Sequence, residues 1–135
     1  MSFMQISVKL FISILALAMI FSCSLFDKKQ TASAAEYQVV LEFLGDDPEN
    51  FKRIQVLEMK LEETLKSGEV DGNDVGQGIV NIFILTREPQ RCFEEAMRIL
   101  GGKEPVPRAA GYRNIKEENY IRLWPKGDQT PFELK

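Results

Sequence analysis

"VDGNDVGQGIVNIFILT", Val70 to Thr86, sets a glycine- and acid-rich stretch directly against a near-continuous β-branched and aromatic run. How the two halves are read decides the architecture. The second half, Ile79 to Thr86, has the composition of a central strand buried along most of its length. The first half is then either a chemical site or the bend that feeds that strand. As a calcium loop, with Asp71 at position one and Asn73 at three, it puts Val75 at position five and Ile82 at twelve. A monodentate ligand and the closing glutamate are both missing. As a phosphate cradle it lacks a lysine followed by serine or threonine, and it leads into a strand where a helix N-terminus is needed. As an acid and base pair, Asp71 and Asp74 have no neighbouring cation or apolar pocket to give them different roles. A structural hairpin accounts for every residue: "DGND" tolerates positive φ, and Gly76 and Gly78 suit a bulge or bend between a short strand and a long one. Asp71, Asn73 and Asp74 are left as an exposed polar cluster through which the loop can touch a partner.

Working outward, "YQVVLEFL" (Tyr37 to Leu44) is rich in strand-favouring residues. "GDDPENF" then turns the chain, with Asp46 or Asp47 as a helix cap, Pro48 at the first helical position and Glu49 at the positive end. Phe51, Ile54, Leu57, Leu61 and Leu65 recur at helical spacing and mark an amphipathic helix ending at Gly68. "REPQRCFEEAMRILGG" is a second helix, closed by Gly101 and Gly102. In it Cys92 shares the apolar positions with Phe93, Ala96, Met97, Ile99 and Leu100, which makes it a small core residue. "AAGYRNI" and "NYIRLWP" flank "KEE" and form a last strand, bent or folded into a hairpin near Lys116 to Asn119. The order strand, helix, strand pair, helix, strand or strand pair is α+β. It resembles the ferredoxin-like βαββαβ sandwich, an antiparallel sheet with two helices on one face. That resemblance implies an architecture and no activity.

Upstream of residue 37 the chain is of another kind. "LFISILALAMIF" (Leu10 to Phe21) follows Lys9 and has the character of the apolar region of an export signal, shorter than the roughly 18 residues a spanning helix needs. "IFSC" (Ile20 to Cys23) resembles the lipobox of bacterial lipoproteins, with an aliphatic residue three before the cysteine and Ser22 just before it. Phe21 departs from the family's pattern at the middle position. The resemblance covers residues 1 to 23 and implies cleavage after residue 22, lipidation of Cys23 and a membrane-anchored chain, with residues 23 to 36 as lipidated N-terminus and tether. Several acyl chains on one residue make a durable anchor, at about 0.8 kcal/mol per buried CH₂. Ser24, with no aspartate beside the modified cysteine, implies by the same resemblance the outer membrane if the envelope is Gram-negative. The competing pattern is "ASA" (Ala32 to Ala34), an A-x-A site whose cleavage before Ala35 releases a soluble protein.

Residues 37 to 135 are enough for one core. The chain has 17 basic residues, 20 acidic residues and no histidine. Without Lys9, the only charge before Cys23, 16 bases face 20 acids, a net charge of −4. That balance and the absence of a basic cluster argue against nucleic-acid binding. Lack of histidine removes the usual general base and the commonest zinc ligand, so neither a metal nor a cofactor is expected. The expected function is that of an envelope lipoprotein acting by protein contact without catalysis, for which an immunity or inhibitor role is one form. The alternatives are a small hydrolase using Asp or Glu, or a periplasmic binder of small ligands. Tyr120, Arg122 and Trp124 in the last strand are expected to form one patch under strict alternation, joining aromatic and arginine side chains of the kind that dominate interfaces.

Overall fold

The computed structural model describes residues 35 to 135. The signal region, Cys23 and the Ala32 to Ala34 site lie outside the described residues. The elements follow as β1 (Tyr37–Leu44), α1 (Pro48–Thr64), β2 (Gly68–Gly76), β3 (Ile79–Thr86), α2 (Pro89–Leu100), β4 (Ala109–Asn114) and β5 (Ile121–Trp124). The fold is α+β, with two helices and one five-stranded antiparallel sheet in the order β2-β3-β1-β4-β5. Strand β1 is paired along both edges, Val40 standing between Phe83 of β3 and Gly111 of β4. Strand alternation therefore divides its side chains cleanly. Val39, Leu41 and Phe43 join Val80, Ile82 and Ile84 of β3 under both helices, which contribute Ile54 and Leu61 from α1 and Cys92, Ala96 and Leu100 from α2. The intervening Val40 belongs to a second, smaller cluster on the far face with Ala109 and Phe132.

Helix α1 starts as its sequence demands. Asp47 accepts from the backbone N–H groups of Glu49 and Asn50, both at 2.9 Å, and Pro48 takes the position where a missing N–H costs nothing. The helix stops at Thr64, short of the expected Gly68, because α2 captures the chain beyond it. Glu95 accepts from Lys66 N and Ser67 N at 2.9 Å and also from the Ser67 hydroxyl. Burial works against the ionised Glu95 carboxyl, but these hydrogen bonds outweigh it and hold the group below its ordinary value. Gly68 instead opens β2, at a point where a Cβ would meet Cys92 Sγ and Ile84 Cγ2 at 2.8 Å. Cys92 itself is fully buried, and burial pushes its thiol up to about 11. Helix α2 ends in the expected glycine, Gly101 being left-handed at φ 68°.

The expected hairpin is present, but the stretch read as its bend is itself strand. β2 runs through "DGND" to Gly76, with a bulge between Val70 and Gly72 that leaves Asp71 without a cross-strand partner. The reversal comes later, at Gln77 (φ 53°) and Gly78 (φ 74°), a two-residue hairpin turn with positive φ at both central positions. Pairing with β3 overrides the turn character of Asp, Asn and Gly because every residue from Gly72 to Gly76 has a partner there. The two hairpin glycines should therefore respond differently to substitution. Gly78→Val should lower stability by about 1–2 kcal/mol, whereas Gly76→Val, with open space around its Cβ, should change it by less than about 0.5 kcal/mol, as read by urea denaturation.

Candidate functional site

Two of the buried polar side chains among the described residues, Glu42 and Asn81, lie on the far face of the sheet. β4 and β5 form the hairpin that closes the sheet, and their pairing slips between Ala110 and Gly111, so Gly111 faces Arg122 while Ala110 faces Trp124. Leu123 is the extra residue. This bulge overturns strict alternation: Trp124 packs with Leu123 against the helix-side core, and Tyr120 packs on the far face with Phe132. The expected patch of Tyr120, Arg122 and Trp124 is thus split across the sheet. The β2 cluster is split as well. Asn73 donates to Glu58 of α1 at 2.7 Å, Asp74 pairs across to Asn81 on the opposite face, and Asp71 occupies the bulge.

Arg122 is already engaged within the chain. It donates to the carbonyls of Thr130 (2.8 Å), Pro131 (3.0 Å) and Trp124 (3.3 Å), its guanidinium lies 5.7 Å from the centre of the Phe132 ring, and Asp128 is 3.7 Å away. It thereby clasps the segment 128–135 to the far face. Hydrogen bonds from Thr130 hold the Asp128 carboxyl below its ordinary value. Phe132, only 4% exposed, is the buried anchor of that segment. Its ring meets Tyr120 edge to face at 5.4 Å, and it sits over Gly111, where a Cβ would come within 2.7 Å of the ring. Tyr120 is joined to Phe132 by a single β-bridge and donates through its hydroxyl to Gln38 at 2.9 Å, with Arg113 donating to the same Gln38 oxygen at 3.0 Å. Burial raises the Tyr120 hydroxyl against the pull of Arg113.

Two clefts flank the Phe132 anchor. One, of about 420 Å³, is bounded by Arg113, Glu118, Asn119 and Tyr120. The other, of about 340 Å³, is bounded by Glu42, Arg108, Arg122 and Asp128. Glu42 is the residue that sequence reasoning missed. It lies in the central strand, 2% exposed, held by Arg108 Nε at 2.9 Å through one oxygen, while its Oε2 is buried without a partner. Its cross-strand neighbour Asn81, 1% exposed, donates to the carbonyl of Lys135 at 2.7 Å and leaves its own Oδ1 buried and unpartnered. The signal available in sequence was a lone acid within the apolar "YQVVLEFL", which alternation places with Val40 on the face away from the helices. Two buried acceptors without partners can chemically accept hydrogen bonds from donors brought to them. Among the described residues no three His, Cys, Asp or Glu side chains gather as a metal site would need.

No family model, curated protein or solved structure matches the chain in comparisons with each. The site is therefore read from its own chemistry. Since Glu42 is buried and Arg108 is its charged partner among the described residues, Arg108→Ala should destabilise the domain by about 2–3 kcal/mol, and Glu42→Gln in the same chain should restore a substantial part. Simple additivity of the two losses in a double-mutant cycle would show that the pair is not coupled.

Proposed function

We propose that this chain is an exported lipoprotein, anchored through Cys23, whose domain from residue 37 onward acts by protein contact at the cell envelope and performs no catalysis. The observation that carries the reading is the placement of Cys23 directly after the apolar run, with Ile20 and Ser22 in the positions the lipoprotein pattern requires. The domain is compatible with such a tether. Among the described residues no helix is long and apolar enough to cross a membrane, and β1 begins close behind the segment that would carry the lipid. A domain held at a membrane gains effective concentration toward partners there, so modest affinity suffices. The core from β1 to β4 is further proposed to be a ferredoxin-like unit, to which β5 adds an edge strand beside β4.

Contact in place of catalysis is supported by how the polar groups of the far face are used. Glu42 is tied to Arg108, Asp128 to Thr130, and Tyr120 to Gln38, each in a hydrogen-bonding role. The buried thiol lies on the other side of the sheet, among the helices. An inhibitor or immunity protein is one form such a contact module takes.

Substitution of the cysteine tests the reading directly. Cys23→Ala should abolish incorporation of labelled palmitate and move the protein out of the membrane fraction. A mutant chain that still fractionates with membranes and matures at the same site would overturn the anchor.

A further inference from the structure

The segment 128–135 is fastened to the far face by features that many extended peptides share. Among its eight residues only Phe132 is buried. Apart from the ion pair between Arg122 and the Asp128 side chain at 3.7 Å, the other ties run to its main chain: Arg122 to the carbonyls of Thr130 and Pro131, Asn81 to that of Lys135, and the bridge between Tyr120 and Phe132. The seat itself is shaped for an aromatic ring, because Gly111 lacks the Cβ that would strike it and Tyr120 and Arg122 bound it. Such a seat reads one aromatic side chain and the carbonyls of an extended backbone.

The segment also fits its seat imperfectly. It helps to cover Glu42 and Asn81, direct partners across β1 and β3, without offering a donor to Glu42 Oε2 or Asn81 Oδ1. Buried acceptors left unmet are costly, most of all on a carboxylate. A segment with the same aromatic residue plus an amide or ammonium directed at these two oxygens would match the face better than the chain's own residues do.

We propose that residues 128–135 form a displaceable strap, and that the face beneath it binds an extended protein segment with an aromatic residue in the place of Phe132 and a hydrogen-bond donor aimed at Glu42 and Asn81. This deepens the contact reading above and rests on it. A resident strap lowers the apparent affinity of any competitor by the fraction of time the seat is free, so it sets a threshold for partner binding.

The test is a titration of the full chain with a fluorescent synthetic peptide of the strap sequence, Asp128 to Lys135. The Phe132→Ala chain should bind this peptide at least about tenfold more tightly than the unsubstituted chain, whose own strap competes. Glu133 borders the cleft that Glu42 and Arg108 line, so a peptide with Glu133→Lys brings a donor to that cleft. It should bind about tenfold more tightly than the strap peptide, and the gain should vanish against a chain also carrying Glu42→Gln. Equal binding to both chains, or no gain from the lysine, overturns the proposal. If Phe132→Ala does not fold, Phe132→Leu, which weakens the strap's anchor and leaves Arg122 on the face, takes its place; failure of both to fold shows the strap to be integral and also overturns it. Self-association of the Phe132→Ala chain without peptide selectivity would assign the seat to a second copy, against the proposal. The titration needs neither a membrane nor a natural partner, so its failure removes the strap alone and leaves the contact reading to be judged separately.

Discussion

Pairing of β1 along both its edges is the constraint on which the rest depends. A strand enclosed in this way has no free register: each residue is committed to one face, and a slip of one would exchange the two faces entirely. Val39, Leu41 and Phe43 are thereby fixed under the helices, and Val40 and Glu42 are fixed on the other side. Glu42 is then a carboxylate at the middle of a sheet, where it needs both a cation and a cover. Arg108, from the segment just before β4, supplies the first, and the segment 128–135 contributes to the second. The far face is therefore polar beneath an aromatic plug.

This arrangement explains which parts of the structure were legible in the sequence. The β1, α1, β3 and α2 elements carry strong periodicities and local caps, Asp47 and Gly101 among them, and these act within a few residues of where they stand. β2 was misread because Asp71, Gly72, Asn73 and Asp74 have turn chemistry, and pairing with β3 is a non-local effect that composition does not reveal. The patch of Tyr120, Arg122 and Trp124 failed for a related reason. One extra residue, Leu123, shifts the register, and nothing in "NYIRLWP" announces a bulge. The role of 128–135 was invisible because a single buried phenylalanine has no period at all.

What emerges is a division of labour across the sheet. Ordinary apolar burial beneath the helices provides the stable core, with a protonated, buried cysteine as one of its small residues. On the strap proposal the far face carries the side chains that meet a partner, and Arg122 governs access to them. An arginine with three carbonyl contacts is a poor candidate for a free hot spot while the segment is in place. The same arginine becomes an available set of donors when the segment leaves.

Native-state hydrogen exchange of the intact domain tests this division most directly. The account predicts that amides of Val40 to Phe43 exchange only through global unfolding, with a full denaturant dependence. The amides of the bridge between Tyr120 and Phe132 should exchange through a smaller opening that depends little on denaturant. Coincident free energies and denaturant slopes at both places would mean that 128–135 opens only when the whole domain unfolds, and would contradict the account.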